Sequence, residues 1–352
     1  MASLAWLFDL RGEIKGKSRY LLLCLGLGFL LLIWVILTMG AQPLVPSGIL
    51  PQPIKVVNAF SDLWYDNDLL RNVTTSYALN LGGYVKALLW SIPLGFLIGL
   101  FPLFRGSFQH IVNALRYLPL TAVTSLFIVW FGIYTEMKMN FLAFGIFLYL
   151  LPTIIQRIDE VEDVYLTTVY TLGASKWQTF TSVYFPAVMS KLSDDIRVLT
   201  AISWTYIIVI ENIGSEGGIG FLLHGPSARQ GRVDKMFALL ILIMLIGVVQ
   251  DRVFKYLDRK LFPHKYQLKE NAASKSQTVS LLSDTLGFVG NVVAYAALFI
   301  YMLLAINEIT GIFGHFRPLH YFFGDRLWVI NLAFLLVAFV IVYRWIKNKV
   351  KS

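Results

Sequence analysis

The residues of this chain that could carry out chemistry do not assemble into an enzyme site. Residues 12–18, GEIKGKS, approach the phosphate-binding loop, but that pattern needs four residues between the first glycine and Gly-Lys-Ser/Thr, and here there are three. Among the five histidines only His315 and His320 form even a weak pair, and their segment with Arg317 is more typical of a solvated surface. We expect no catalytic, cofactor-binding or metal-binding residue in this chain.

A second group of polar residues lies inside strongly apolar stretches, where polar side chains are costly and usually face a cavity or a partner helix. They are Thr121, Thr124, Ser125, Ser203, Trp204, Thr205, Tyr206 and Glu211. Hydroxyl groups in such positions are more often hydrogen-bonded between helices than in contact with a ligand, and both interpretations stay open. Glu211 could gate a path or pair with Arg229 or Arg232, or it could be an interfacial charge in contact with water.

The composition indicates a polytopic helical membrane protein. Of the 352 residues 57% are hydrophobic and 14% are charged, whereas soluble domains carry about 25% charged residues. The net charge of +9 is better explained by basic cytoplasmic loops than by a nucleic-acid partner, which we do not expect. The single cysteine, Cys24, excludes disulfides within the chain.

Apolar runs long enough to cross the hydrocarbon core, which takes about 20 residues, predict eight spans. They lie near 20–40, 80–104, 111–132, 139–158, 195–212, 236–254, 281–304 and 326–346. The fifth is the weakest because residues such as Trp204 and Glu211 lower its hydropathy. Basic residues in the N-terminal segment 1–19, after the fourth and sixth spans and at the C-terminus predict that both termini are cytoplasmic.

Two connecting segments have a composition of their own. Between Ile54 and Leu63, apolar residues recur at roughly helical spacing, which predicts a short amphipathic helix on the outer face, most simply a link between two spans. Residues 264–280 are polar and poor in aromatics, as in a cytoplasmic linker. This linker separates a six-span part, residues 20–263, from an added two-span hairpin with a basic tail, residues 281–352.

Residues 167–186, TTVYTLGASKWQTFTSVYFP, are too polar to span a bilayer. The apolar residues before and after Gly173 each fit a short helix with one apolar stripe. Gly173 suits the bend because it adopts positive φ at little steric cost, and Pro186 limits the second helix or starts the next element. The pattern predicts a helix–turn–helix on the cytoplasmic face that offers a contact to something outside the membrane, with a plain interfacial linker as the alternative.

Around Gly173 the sequence resembles the cytoplasmic signature of the permease subunits of bacterial ABC importers of the binding-protein-dependent type. That signature is Glu-Ala-Ala, three residues, Gly, nine residues, then an aliphatic residue, any residue and Leu-Pro. Nine residues separate Gly173 from Val183, and Phe185 and Pro186 close the pattern. Thr167 stands where the family has glutamate, which removes a charge-based contact with an ATPase but not the docking shape.

Other stretches resemble the nitrate, sulfonate, taurine and bicarbonate branch of these importers. They are LPQPIKVVNAF before the amphipathic helix, LRYLPLTAVTSLFIVWFGI in the third span, ENIGSEGGIGFLL after the fifth and VVQDRVFKYLDRKLFP at the exit from the sixth. The likeness covers roughly residues 45–263, and several motifs in order are more specific than any one of them. The hairpin at 281–346 is not part of that pattern.

The resemblance implies an all-α polytopic membrane protein with a six-helix type I ABC importer core, a coupling helix at 163–190 and an extra C-terminal two-helix hairpin. It also implies two copies of a cytoplasmic ABC ATPase that bind ATP and Mg²⁺, a periplasmic or lipid-anchored solute-binding protein, and a homodimer in the bacterial inner membrane. The ATPase-coupling residues would be Thr167, Leu172, Gly173, Ala174, Ser175, Trp177, Val183 and Pro186. The candidates for the translocation path are Thr121, Thr124, Ser125, Trp204, Tyr206 and Glu211.

Two functions of different classes remain. The first is the membrane subunit of an ATP-driven importer for a small anion such as nitrate, a sulfonate, taurine or bicarbonate. The second is a self-contained channel or ion-coupled secondary carrier, in which residues 167–186 would be only an interfacial linker. A carrier would usually show ionisable residues deep in the spans and internal repeats, and this sequence has few of the former and no clear repeat.

Overall fold

The computed structural model describes residues 17–40, 43–214, 217–263, 265, 299–308, 310, 317–324 and short pieces between 327 and 338. Residues 1–16, which include most of the GEIKGKS stretch, lie outside the described residues. So do nearly all of the linker 264–280 and much of the hairpin with its spans 281–304 and 326–346.

All regular elements of the described ranges are helical, which confirms the predicted all-α membrane fold. They are α1 (Lys17–Thr38), α2 (Pro53–Asp66), α3 (Leu69–Leu100), α4 (Pro102–Leu115), α5 (Leu120–Phe131), α6 (Thr135–Asp159), α7 (Asp163–Thr171), α8 (Lys176–Thr179), a π-helical turn (Phe180–Tyr184), α9 (Phe185–Glu211), α10 (Ile219–Leu222), a second π-helical turn (Leu223–Ser227), α11 (Val233–Leu261), α12 (Phe299–Glu308) and α13 (Pro318–Phe323).

Four of these helices are long and apolar enough to cross a membrane: α1, α3, α6 and α11. The predicted spans 20–40, 139–158 and 236–254 correspond to α1, α6 and α11. The prediction for 80–104 was displaced, because α3 begins at Leu69 and ends at Leu100. Hydropathy missed its first turns, where polar side chains such as Asn72 and Ser76 bind backbone groups of other elements within the protein.

The predicted third span 111–132 is wrong as a single helix. The structure has two helices there, α4 and α5, which meet at a bend of 105°. Pro119 directly precedes α5, and a proline removes a backbone donor and disfavours helical geometry in the residue before it. The apolar run is therefore a broken span or a re-entrant element.

The predicted fifth span 195–212 corresponds to the longer helix α9, which begins at Phe185. This helix is not among the four that pass as membrane-crossing by length and composition. Its first half carries four charged residues that lower its hydropathy: Lys191, Asp194, Asp195 and Arg197. Asp195 pairs with Arg157 of α6 and Arg197 pairs with Asp251 of α11.

Helix α6 forms the centre of the core, with most of its apolar stretch buried. It packs closely along α3, because glycines of α3 leave room for its large aliphatic side chains. A Cβ on Gly95 would lie 2.6 Å from Cγ2 of Ile154, and one on Gly83 would lie 2.8 Å from Cδ2 of Leu142. Small residues allow such close approach between membrane helices. Helix α9 packs against α6 as well.

Helix α2 confirms the predicted amphipathic helix after the first span. Its buried side chains, Val56, Ala59 and Leu63, face inward, and the helix packs on α11. Asp62 of α2 also accepts a hydrogen bond of 2.6 Å from the guanidinium of Arg232, directly before α11. This helix is thus a packed part of the core as well as a link between α1 and α3.

Part of the added C-terminal region contacts the core. Helix α13 packs on α3, and its Leu319 is buried. The backbone N–H of His320 donates to a carboxylate oxygen of Glu308 at the end of α12, at 3.2 Å. The described part of this region therefore attaches to the rest of the protein through contacts with α3.

Candidate functional site

The predicted bend at Gly173 is confirmed. Gly173 has φ of +76°, and its N–H donates to the carbonyl oxygen of Tyr170 while that of Ala174 donates to Val169, both at 3.0 Å. This pair of bonds is the Schellman arrangement that ends a helix through a left-handed residue. A Cβ on Gly173 would meet open space, so glycine is needed here for its backbone conformation.

The helix after the bend begins with a capping box. Ser175 accepts from the N–H of Gln178 at 3.3 Å, and the Gln178 side chain accepts from the N–H of Ser175 at 2.8 Å. Such reciprocal bonds satisfy two otherwise unpaired donors at a helix N-terminus. The turn between α7 and α8 is therefore held on both sides by hydrogen bonds. Residues 175–178, SKWQ, match the sequence pattern of a capping box, and this was not recognised from the sequence.

The segment exposes apolar side chains that do not belong to a spanning helix. Leu172 is 81% and Trp177 is 71% exposed, and Tyr165 and Tyr170 are exposed as well. Exposed apolar groups that lie together commonly mark an interaction site. We call Tyr165, Tyr170, Leu172 and Trp177 the docking face. Thr167 is also exposed, but its hydroxyl donates to the backbone oxygen of Asp163 at 2.9 Å.

The other end of the segment runs into the core without a break. Thr179 and Val183 are buried, and the backbone from Lys176 to Glu211 stays helical through the π-helical turn at Phe180–Tyr184. Pro186 lies in the first turn of α9, which confirms the second of the two predicted alternatives. A proline ring crowds the carbonyl four residues before it, and the wider π-helical turn accommodates this.

An aromatic cluster connects the docking face to α3. The ring of Trp177 lies 5.4 Å from that of Phe180, and Phe180 meets Phe96 of α3 edge-on at 5.3 Å. Phe185 stacks on Phe96 at 5.8 Å. Aromatic pairs at such distances contribute about 0.5–1.5 kcal/mol beyond burial. The cluster gives the exposed segment a second attachment, apart from the backbone.

Ion pairs join the helices on either side of the segment. Nε and one terminal nitrogen of Arg157 in α6 donate to the two carboxylate oxygens of Asp195 in α9, both at 2.7 Å. The other terminal nitrogen donates to Glu160 at 2.6 Å. This partly buried arrangement is bidentate, the strongest geometry for such pairs. Sequence reasoning missed it because Arg157 and Asp195 belong to different predicted spans.

The candidates for the translocation path differ in exposure and in their contacts. Thr121 and Ser125 of α5 are exposed and Thr124 is half-buried. Trp204 is buried, and its indole N–H donates to the side-chain oxygen of Gln250 in α11 at 2.8 Å, which favours a role between helices. Tyr206 is half-buried and packs against Gly145 of α6.

The expectations for Glu211 were wrong in two respects. It is fully buried, so it is not an interfacial charge in contact with water. Arg232, one of its expected partners, instead holds Asp62 and Asp234, and these pairs raise the pKa of Arg232. Glu211 accepts from the N–H of Gly220 at 2.8 Å.

The loop before α10 is held by three successive backbone donors. The N–H of Gly218 donates to Asn72 at 2.7 Å, and that of Ile219 donates to Ser76 at 2.8 Å. With the bond from Gly220 to Glu211, these contacts tie the glycine-rich loop to α3 and α9. Glu211 is thus a structural acceptor for this loop.

One buried cation was also missed. Lys138 near the start of α6 is fully buried, and its Nζ lies 3.9 Å from where a Cβ of Gly214 would be. Its signal was a lysine directly before the predicted span 139–158, since ionisable groups inside the membrane-spanning part of a helix are rare and usually functional. Lys138 and Glu211 are therefore two buried ionisable groups near one loop.

The chain is similar to known transport proteins. The model of the family described as binding-protein-dependent transport system inner membrane component matches residues 91–263. The chain is 28% identical over 233 residues to SsuC of Bacillus subtilis (strain 168), named as an aliphatic sulfonates transport permease, covering 65% of this chain and 82% of that protein. It is 25% identical over 252 residues to TauC of Escherichia coli (strain K12), named as a taurine transport system permease, covering 70% and 90%.

Solved structures similar to the chain include a subunit of the inward-facing MetNI methionine ABC transporter. That comparison has a TM-score of 0.49 and 18% sequence identity, and it covers 57% of this chain and 98% of that one. A second is a bacterial ABC transporter involved in import of the acidic polysaccharide alginate, with a TM-score of 0.45 and 15% identity, covering 70% and 97%.

Proposed function

We propose a transport mechanism for this chain, which belongs through residues 91–263 to the family of binding-protein-dependent transport system inner membrane components. It is a multi-pass membrane permease of an ABC importer for small solutes. In the proposed assembly, two copies of the chain form the path across a bacterial inner membrane, with both termini in the cytoplasm. Two copies of a separate ATPase bind ATP and Mg²⁺ below them, and a solute-binding protein delivers the solute from outside.

The observation that carries the proposal is the exposed docking face around Gly173. It combines large apolar side chains, a bend fixed by hydrogen bonds and a position outside the helices that qualify as spans. Burying Trp177 and Leu172 in a groove of the ATPase would remove this apolar surface from water. Residues Thr167, Ala174 and Ser175 would keep the docking face in its bent conformation. Because position 167 carries threonine, the contact with the ATPase would not depend on a charge there.

Two connections would carry the movement of the ATPase into the membrane. The first is the unbroken helical backbone from Lys176 through Val183 and Pro186 into α9. The second is the aromatic contact of Phe180 with Phe96 of α3. Binding of ATP by the partner would thereby shift the permease between inward- and outward-facing states, a two-state equilibrium biased by ligand.

The proposed solute is a small anion, such as a sulfonate, taurine, nitrate or bicarbonate. Support comes from the names of SsuC and TauC, which refer to aliphatic sulfonates and taurine. The path would pass the half-buried Thr124 and Tyr206 and the exposed Thr121 and Ser125, which can donate hydrogen bonds to an anion. Trp204 and Glu211 would support the path through their contacts with Gln250 and Gly220.

The test is affinity purification of the tagged chain from its native membranes, followed by uptake of labelled taurine and an alkanesulfonate into intact cells. We expect a soluble ATPase to co-purify with the wild type and to be lost in Gly173→Val, because a β-branched residue resists positive φ. Gly231→Val is the matched control, since Gly231 also has positive φ with open space around it but lies outside the docking segment, residues 163–186.

Recovery of an oligomer without any nucleotide-binding partner would contradict the proposal. It would favour the self-contained channel or ion-coupled carrier, and the buried Lys138 and Glu211 would then be the ionisable groups to examine. Recovery of the ATPase without uptake of either sulfonate would reject only the solute class.

A further inference from the structure

The segment that carries the docking face is closed at its base by ionic contacts. Arg157 donates two parallel bonds to Asp195 and two more to the carboxylate oxygens of Glu160. Lys191 adds a bond from its ammonium to the backbone oxygen of Glu160, at 3.1 Å. Glu160 lies just before the segment, with two residues between them, and Lys191 lies in α9 beyond it. The two ends of the segment are therefore fastened to each other.

The same part of α9 is fastened to α11. Ser193 accepts from Lys265 at 2.7 Å and hydrogen-bonds Asp258, whose side chain is 8% exposed. Arg197 lies 3.6 Å from Asp251 of α11. Asp195 of α9 thus contacts α6, while Ser193 and Arg197 contact α11.

The docking segment is otherwise weakly attached on its entry side. No side chain of α7 is buried. Two residues outside any helix, Val161 and Glu162, connect α7 to Glu160. A force applied to α7 alone would turn this short connection and leave α6 in place. The exit side differs, because α8 continues into α9.

We propose that Arg157, Asp195 and Glu160 form a clamp that makes α6 and α9 move as one body when the docking segment is pushed. Arg157 is in this view a positioning residue for the coupling between ATPase and permease, and the inference rests on the proposed function. The bidentate pair resists rotation of one helix against the other, because both of its bonds would have to lengthen together. The contacts of Ser193 and Arg197 extend the moving body to α11.

The experiment measures distances by spin labels within the complex of the tagged chain and its ATPase. Cysteines at Tyr149 in α6 and Val198 in α9, both exposed, are labelled in a Cys24→Ser background and diluted with unlabelled copies. Distances are recorded without nucleotide and after trapping with Mg²⁺, ATP and vanadate. In the wild-type protein, with the clamp intact, we expect one distance between the two labels that is the same without nucleotide and after trapping.

Arg157→Ala should shift or broaden that distance after trapping while the ATPase still co-purifies, and Arg157→Lys should have a smaller effect because it keeps the charge without the fork. Arg105→Ala is the matched control. It removes the pair of Arg105 with Asp159, at the same end of α6 but directed to α4, and should leave the distance unchanged.

An Arg157→Ala distance like that of the wild type in both states would overturn the clamp, and so would a wild-type distance that changes on trapping. Asp195→Asn provides a second test if Arg157→Ala does not reach the membrane. If neither variant accumulates there, the pair is a requirement for folding and the proposal is rejected. Failure of the proposed function looks different, because the wild type itself would then bring down no ATPase.

Discussion

The carboxylate of Glu211 occupies the space that a side chain of Gly218 would need. A Cβ on Gly218 would lie 2.3 Å from Cδ of Glu211, and Gly218 has φ of +115°. The first two glycines of the GGIG sequence are required for backbone geometry, since both have positive φ. The loop that resembles the importer signature is therefore shaped by a buried acid of α9.

Gly218→Ala should destabilise the protein, by roughly 1–3 kcal/mol for the backbone conformation alone and further because the methyl group would displace Glu211. Glu211→Ala separates the two costs, since it removes the carboxylate that the methyl group would displace and keeps the same backbone position for the substitution. Thermal unfolding in detergent should show a larger loss for Gly218→Ala in the wild-type background than in the Glu211→Ala background. Equal losses in the two backgrounds would mean that the contact with Glu211 does not matter.

Trp177→Ala should weaken binding of the ATPase, by about 2 kcal/mol or more if the indole is a central contact. The measurement is the affinity of the purified ATPase for the permease in nanodiscs. Trp64→Ala removes an exposed tryptophan of the same kind from α2, and we expect no change there. A Trp177→Ala variant that binds as well as wild type would exclude the docking face as the contact.

Gln250→Leu should lower the free energy of unfolding by about 1 kcal/mol, because it leaves the indole N–H of Trp204 without its acceptor in a buried site. The double variant with Trp204→Phe removes donor and acceptor together and should recover part of this loss. A double-mutant cycle by chemical unfolding measures the coupling. Additive effects would show that the bond contributes nothing to stability.

The stability contributed by Glu160 should depend on pH. The hydrogen bond from Arg157 lowers the pKa of the Glu160 carboxyl, and that from Lys191 adds to this. A carboxyl with a lowered folded-state pKa stabilises fully above its unfolded pKa, about 4.3, and loses this as pH falls through the folded value. The difference in stability between wild type and Glu160→Gln should therefore be constant from neutral pH to about 5 and shrink only below that. A difference that disappears above the usual carboxyl range would contradict the lowered pKa.

Helices and turns that depend on residues near one another in the chain could be predicted from the sequence. Apolar runs predicted α1, α6 and α11, the periodicity after Ile54 predicted α2, and Gly173 predicted the bend, since each is set by residues that are near one another in the chain. The capping box at Ser175 was of the same local kind and could have been found.

The sequence could not predict what depends on partners far along the chain. The polar start of α3 is stable because Asn72 and Ser76 bind a loop some 140 residues away. The bend of 105° before α5 could not be predicted from hydropathy, because an apolar run indicates a helical stretch but not the direction of its axis. Glu211 was misplaced because its acceptor role depends on the fold of a glycine loop, which no spacing of single residues reveals.

The unbroken backbone from Lys176 to Glu211 has a consequence for communication between the two sides of the membrane. At about 1.5 Å per residue this stretch is roughly 50 Å long, more than the hydrocarbon core of about 30 Å. In the proposed assembly, one continuous helical stretch would have the turn that contacts the ATPase at one end and, at the other, the buried acid that shapes the loop before α10. Because linkage between binding sites is reciprocal, a solute that moves this loop would then alter the affinity of the turn for its ATPase.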